Sequence, residues 1–350
     1  MTFKRLALLA VFALGLGSAA LPALAQSSPE FSGTDDVEID RAIGQQLPPG
    51  RARPLPRIDP TERSRGPLGL DPSELDAALG TTTRSSDGTT KTETAPQALR
   101  SAFEAEKSAL AALGAPAPEA SRVVVGTDDR VRIGDATAFP FRAIGWLRTQ
   151  SPSDPDSWFT CSATLIGPRT LITAAHCIYD HDDGGWANQI LFNPGANEPN
   201  FAPFGEYAYR TAHILTAYID NYQGYYGSVV PWDIAVVILE EPVGDRLGWY
   251  GFKVDEATTM QAHIVGYPAD MPQGTMWRAS CEIGAFQFSE LEVWHDCDTF
   301  SGSSGSAIYE QDPASGDRYV RAVNVADDGE VNYGIRLTNT YYDWVLSHRE

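Results

Sequence analysis

The run Asp298-Thr299-Phe300-Ser301-Gly302-Ser303-Ser304-Gly305-Ser306-Ala307 gathers hydroxyl groups into a loop that carries two glycines. A serine hydroxyl becomes a nucleophile when a base takes its proton and donors receive the oxyanion it creates. Gly302 and Gly305 lack a Cβ, so the backbone there can bend sharply and approach a substrate. The N–H groups of Gly302 and Ser304 are then the candidate oxyanion donors. Gly/Ser-rich tetrapeptides are common in plain loops, and this one gains meaning from two runs upstream. Leu171-Ile172-Thr173-Ala174-Ala175-His176-Cys177 sets a histidine directly after an apolar stretch. Trp232-Asp233-Ile234-Ala235-Val236-Val237-Ile238-Leu239 sets an aspartate at the head of another. An imidazole titrates near neutral pH and can both accept and return a proton. A carboxylate beside it can hold its tautomer and stabilise the imidazolium. His176 is therefore the candidate base and Asp233 the candidate orienting group, while Ser303, Ser304 and Ser306 compete as nucleophile.

Three motifs in the order His, Asp, Ser resemble those of the trypsin-like serine endopeptidases. The bacterial glutamyl-endopeptidase branch is similar in further detail: the start Val125 to Arg130, the tripeptide Gly266-Tyr267-Pro268, and Asp298-Thr299 ahead of the nucleophile loop. The resemblance spans about residues 123–350. It implies an all-β chain of two six-stranded antiparallel β-barrels closed by a C-terminal helix. His176 and Asp233 would stand on the first barrel and Ser304 on the second, with catalysis at their junction. It selects Ser304, which alone has Gly-x before it and Gly-Ser after it in the family's register. It also implies a specificity pocket at Asp298, Thr299 and Asn324. Asp298 stands six residues before Ser304, where trypsin itself uses an Asp to select Lys or Arg. Thr299 matches a hydroxyl that helps hold a carboxylate in the glutamyl branch. Asn324 stands where that branch uses His, and it can donate a hydrogen bond but carries no positive charge. Cleavage is accordingly not expected to be strict after Glu. Ser303 precedes the nucleophile where the trypsin subfamily has an Asp, so the ion pair with a newly cut N-terminus cannot form here.

A length of 350 residues allows two or three domains. With 46 acidic against 26 basic residues, the net charge is −20, which argues against nucleic acid or an anionic membrane as partner. Lys4 and Arg5, the apolar run Leu6 to Leu21 and the small-residue site Ala23-Leu24-Ala25 read as an export signal over 1–25. Export to a secreted or periplasmic location permits disulfides. Cys161, Cys177, Cys281 and Cys297 allow three connectivities. Local pairing, 161–177 and 281–297, is the simplest reading and the one the family resemblance supports. Zinc is discounted for want of a Cys-x-x-Cys pair.

Residues 26–122 are rich in Pro, Gly, Ser and Thr and read as a loosely structured, largely flexible propeptide that makes no core of its own. Two helices are expected within it, one opened by Asp71-Pro72-Ser73-Glu74 and stopped by Gly80, the other over Gln97–Leu113. The mature chain is expected to begin near Val123. Beyond it, short apolar runs alternate with turn residues: Arg142 to Leu147, Cys161 to Ile166, Thr170 to Ala174, Ile234 to Leu239, Ala262 to Gly266 and Val320 to Val325. This texture indicates a barrel or sandwich. The protease domain is taken as 123–350, with the first barrel about 123–248, the second about 249–337, and a closing helix over 338–348 capped by Thr338. Asp180 to Gly185 resembles a calcium loop, but Leu191 stands where an EF-hand closes with Glu, so a solvated acidic loop is expected. His181, His213, His263, His295 and His348 read as surface or structural.

The reading is thus a monomeric, exported serine endopeptidase that acts on proteins or peptides through an acyl-enzyme, with no cofactor and no metal. A catalytically inactive binding protein on the same fold is the alternative. An α/β-hydrolase esterase is disfavoured, because that fold places its serine before Asp and His.

Overall fold

The computed structural model describes residues 50–59, 72–113 and 127–350. The expected export signal, the linker at 115–118 and the expected mature start lie outside the described residues.

The N-terminal segment holds helix α1 (Pro72–Ala78), strands β1 (Thr81–Ser85) and β2 (Thr90–Glu93), and helix α2 (Gln97–Leu113). Both helices stand where the sequence places them. Pro72 opens α1 because its missing N–H is unpaired at a first turn in any case. At Gly80 a Cβ would lie 2.8 Å from Glu93 O, so only glycine lets the chain turn there into β1. Among its described residues the segment shows no separate apolar cluster. It borrows one instead: Leu75, Leu79, Leu99 and Phe103 are buried in the apolar cluster of the first barrel. The β1–β2 hairpin is not anticipated from composition. Its signal is Asp87-Gly88 between threonine-rich strands, with Gly88 at φ +89°.

The first barrel has strands β3 (Ile144–Gln150), β4 (Trp158–Leu165), β5 (Thr170–Thr173), β6 (Ile190–Pro194), β7 (Tyr207–Leu215) and β8 (Ala235–Leu239). They pair antiparallel in the order β6-β3-β4-β5-β8-β7, and β7 returns to β6 to close the ring. The far end of β7 also pairs with β1, from Thr211–Ser85 to Leu215–Thr81, so the N-terminal hairpin extends the barrel's own sheet. Cys161 on β4 is bonded to Cys177 just past β5.

The second barrel has strands β9 (Met260–Gly266), β10 (Trp277–Ile283), β11 (Glu292–His295), β12 (Ala307–Gln311), β13 (Arg318–Asp327) and β14 (Asn332–Arg336). Their order is β11-β14-β13-β12-β9-β10, and the ring stays open between β10 and β11. The free edge of β10 pairs instead with Val131–Arg132, so its backbone groups are spent elsewhere. A disulfide spans the opening, from Cys281 on β10 to Cys297 just past β11.

Helix α3 (Asn339–His348) ends the chain, and Thr338 caps it by accepting the Tyr341 N–H at 3.4 Å. Glu106 of α2 adds a second cap, accepting from Thr340 N–H at 3.1 Å and from its hydroxyl at 2.6 Å. Tyr341 donates its hydroxyl to Pro231 O, and Trp344 donates Nε1–H to Thr81 Oγ1 at 2.9 Å. Among the described residues no helix is long and apolar enough to cross a membrane.

Among the described residues no strand pairing joins β10 to β11, and the disulfide is a covalent link across that seam. Replacing Cys281 and Cys297 together by Ser is expected to lower stability by about 3 kcal/mol, the loop-closure value for a loop of this length. Denaturant titration of both proteins checks this, and an unchanged midpoint would show that the seam is held by packing alone.

Candidate active site at the barrel junction

His176 stands on a single 3-10 turn, Ala175–Cys177, that follows β5 directly. Asp233 follows a second such turn, Val230–Trp232, and precedes β8. Because β5 and β8 are paired neighbours, the two turns meet at one end of the barrel. Asp233 is fully buried and is satisfied by three donors. The His176 backbone N–H reaches Oδ1 at 2.8 Å, the His176 ring reaches Oδ2 through Nδ1 at 2.6 Å, and the Tyr226 hydroxyl also donates to Oδ2. A ring bonded this way carries its proton on Nδ1 and leaves Nε2 as the acceptor. Tyr226 packs edge-on against the imidazole with centroids 5.9 Å apart.

The loop that carries Ser304 is held against the first barrel by Ser162 of β4. Ser162 N–H donates to Ser304 O at 2.8 Å, and its hydroxyl donates to Gly302 O at 2.9 Å while accepting the Tyr267 N–H at 3.1 Å. Gly305 has φ +79°, and a Cβ there would stand 2.1 Å from Thr173 Oγ1 and 2.4 Å from Ser162 O. Gly302 has φ +92°, with Tyr267 O only 2.5 Å from where its Cβ would be. Both glycines are therefore required by backbone conformation and by contact. The Ser304 hydroxyl is buried and has no hydrogen-bond partner among the described residues. Nε2 of His176 lies 3.9 Å from Cys177 Sγ. The structure thus joins His176 to Asp233 and sets Ser304 on the neighbouring loop, without a hydrogen bond between His176 and Ser304.

Of the expected pocket residues, Asp298 is 5% exposed and accepts the Asp129 N–H at 3.0 Å. Burial, together with the nearby Asp129 and Asp128, raises its carboxyl above the usual range. Thr299 is buried, and its hydroxyl has no partner among the described residues. Asn324 is buried with both ends of its amide engaged: Nδ2 donates to Ser303 O at 3.3 Å, and Oδ1 lies 3.1 Å from His295 Nε2.

Three residues of this site escape the sequence reading. Ser162 and Tyr226 belong to no spacing pattern and come into contact only through the fold. His295 fits its structural reading, but its position beneath Asn324 has no signal in the chain. The groupings Cys161–His176–Cys177 and Cys281–His295–Cys297 have the spacing of metal sites, yet their sulfurs are spent in disulfides.

Complete burial pushes the His295 imidazole down to about 4 from its ordinary value. The folded protein keeps this group neutral while the unfolded chain protonates it near pH 6.5. Stability is therefore present above that range and lost as pH falls toward 4. The loss from this group is about 2 kcal/mol between pH 7 and pH 5. His295→Gln should shrink the stability difference between those two pH values, read by denaturant titration. A variant with the wild-type difference would assign the titration to another group.

No family model matches the chain. A curated relative, "Glutamyl endopeptidase" of Bacillus licheniformis, is 28% identical over 307 residues, covering 84% of this chain and 89% of the relative. "Extracellular metalloprotease" of Bacillus subtilis is 29% identical over 223 residues, covering 63% of this chain and 67% of that protein. A solved structure of a Glu endopeptidase superposes with a TM-score of 0.54 at 24% identity, over 64% of this chain and 98% of that one. That likeness extends to the fold, and the curated relatives extend it to the sequence. The chain is a double β-barrel protein of the chymotrypsin type, related to the bacterial glutamyl endopeptidases.

Proposed function

We propose that this chain is an exported serine endopeptidase that uses Ser304 as nucleophile, His176 as base and Asp233 as the group that orients the base. The observation that carries this reading is the doubly bonded contact of His176 with Asp233 beside a glycine-locked loop whose serine hydroxyl has no partner among the described residues. In the acylation step His176 Nε2 takes the Ser304 proton as Oγ attacks the peptide carbonyl carbon. The carbonyl oxygen becomes an oxyanion facing the N–H groups of Gly302 and Ser304. The protonated imidazole then gives its proton to the leaving amine, and water repeats the cycle on the acyl-enzyme. Asp233 stabilises the imidazolium in both halves. Catalytic hydrogen bonds are often open before substrate arrives, which accommodates the absent bond between His176 and Ser304. The two disulfides suit an oxidising compartment, in keeping with the extracellular relative.

The name of the first relative refers to glutamyl peptides, and here the reading departs from it. Asn324 spends its amide on Ser303 O and His295, and His295 is kept neutral by burial, so neither offers a cation to a substrate carboxylate. Asp298 adds an acidic group to the same region. We infer that cleavage is not confined to bonds after Glu.

Two measurements check this function. Ser304→Ala should lower kcat/KM by at least about three orders of magnitude and abolish labelling by a fluorophosphonate, with the folded circular-dichroism spectrum kept. Wild-type turnover in that variant would remove Ser304 from the mechanism, and a wild-type protein that stays unlabelled after its N-terminal segment has been removed would favour the inactive binding protein. Digestion of a proteome-derived peptide library with active enzyme should return cleavage after several residue types. Cleavage almost wholly after Glu would refute the preference inferred from Asn324.

A further inference from the structure

Residues 50–59 form an extended segment laid across the barrel junction. Arg51 and Ala52 pair parallel with Phe159 and Thr160 of β4, and Arg53 N–H donates to Thr160 O at 3.0 Å. The segment then passes the nucleophile loop. Leu55 N–H donates to Ser301 Oγ at 3.1 Å, and the Ala52 methyl lies 3.4 Å from where a Cβ on Gly302 would stand. It ends on the second barrel, where Ile58 N–H donates to Asp327 O at 2.7 Å and Asp327 N–H returns to Pro56 O at 3.1 Å. A short stretch of chain thereby touches both barrels and the candidate oxyanion loop. Pro54 and Pro56 hold it extended and contribute no N–H of their own. Beside this segment, Ser304 has no exposed surface and His176 is 5% exposed.

One side chain anchors the segment. Arg53 is 5% exposed, its guanidinium bonded to Asp180 and set 4.4 Å above the Phe159 ring. A charge buried this far is rare unless paired, and an aromatic face adds cation–π attraction. Asp180 opens the acidic loop that the sequence singled out. Its other oxygen accepts the Asp182 and Asp183 N–H groups, which fixes it toward Arg53.

We propose that Gly50–Asp59 is an inhibitory strap that fills an extended-peptide groove across the barrel junction, with Arg53 seated in a subsite for basic side chains built by Asp180 and Phe159. The proposal rests on Ser304 being the nucleophile. Once the strap leaves, the same subsite is open to a Lys or Arg of a substrate. The bonds after Arg53 and Leu55 are prolyl imides, so the strap makes a poor substrate for the site it covers.

The test uses the full chain and a fluorophosphonate probe for Ser304. Arg53→Glu in the full chain should label about 30-fold faster than wild type, the effect of removing one partner of a buried charge pair. A synthetic peptide of residues 50–59 should inhibit processed, active enzyme competitively, and the same peptide with Arg53→Glu should need about 30-fold more. The peptide arm is indifferent to whether the full-chain variant folds. Equal labelling of wild type and variant, or equal inhibition by the two peptides, overturns the strap while leaving the nucleophile in place. If processed protein does not label either, the nucleophile reading fails and takes the strap with it.

Discussion

The architecture turns on one close approach, that of the Ser304 loop to the peptide of Ser162. Ser162 spends its N–H on Ser304 O and its hydroxyl on Gly302 O, while its carbonyl accepts the Thr173 hydroxyl at 2.9 Å. One residue of β4 thus ties the serine loop of the second barrel to the end of β5, three residues before His176. The contact is possible only because Gly305 has no Cβ, since any side chain there would occupy the space of Thr173 Oγ1 and Ser162 O. Buried backbone groups left unpaired would each cost about 1–3 kcal/mol, so the loop has little freedom to sit elsewhere.

A second set of contacts fixes Asp233 from the opposite side. The turn that carries it is gripped at Pro231 O by Tyr341 of the terminal helix, and that helix is capped in part by Glu106 from the N-terminal segment. The acid-to-helix contact is favourable because a helix N-terminus presents unpaired N–H groups. Tyr226 completes the shell of Asp233, leaving the carboxylate with donors on both oxygens despite its burial. The position of the imidazole therefore depends on residues from four separate stretches of chain.

The N-terminal segment shows how far composition carries an argument. Its low apolar content leaves its described residues no apolar cluster apart from the barrel's. Yet a few well-spaced residues, Leu75, Leu79, Leu99 and Phe103, suffice when another domain supplies the remaining surface. The β1–β2 hairpin is held the same way, by pairing with the edge of β7 and by bonds from Thr81, Thr82 and Thr83 to Trp344, Thr216 and His213.

Some features were legible in the chain because their causes are local. The two N-terminal helices are bounded by neighbouring proline, glycine and capping residues, and both stand where these signals put them. The terminal helix likewise begins after Thr338. The strand-rich class followed from short apolar runs between turns, although the runs located only about half of the barrel strands. Those missed, such as Tyr207–Leu215 and Trp277–Ile283, mix polar and apolar residues because each turns one face to the core and another away from it. The motifs around His176, Asp233 and Ser304 were likewise visible, since each is a short contiguous word. Contacts between distant segments were not legible. Ser162 against Ser304, Tyr226 against Asp233, His295 beneath Asn324 and the opening between β10 and β11 all depend on which strands become neighbours and in what register. No single segment encodes that choice; it follows from the joint burial of all of them, and only the tertiary structure decides it.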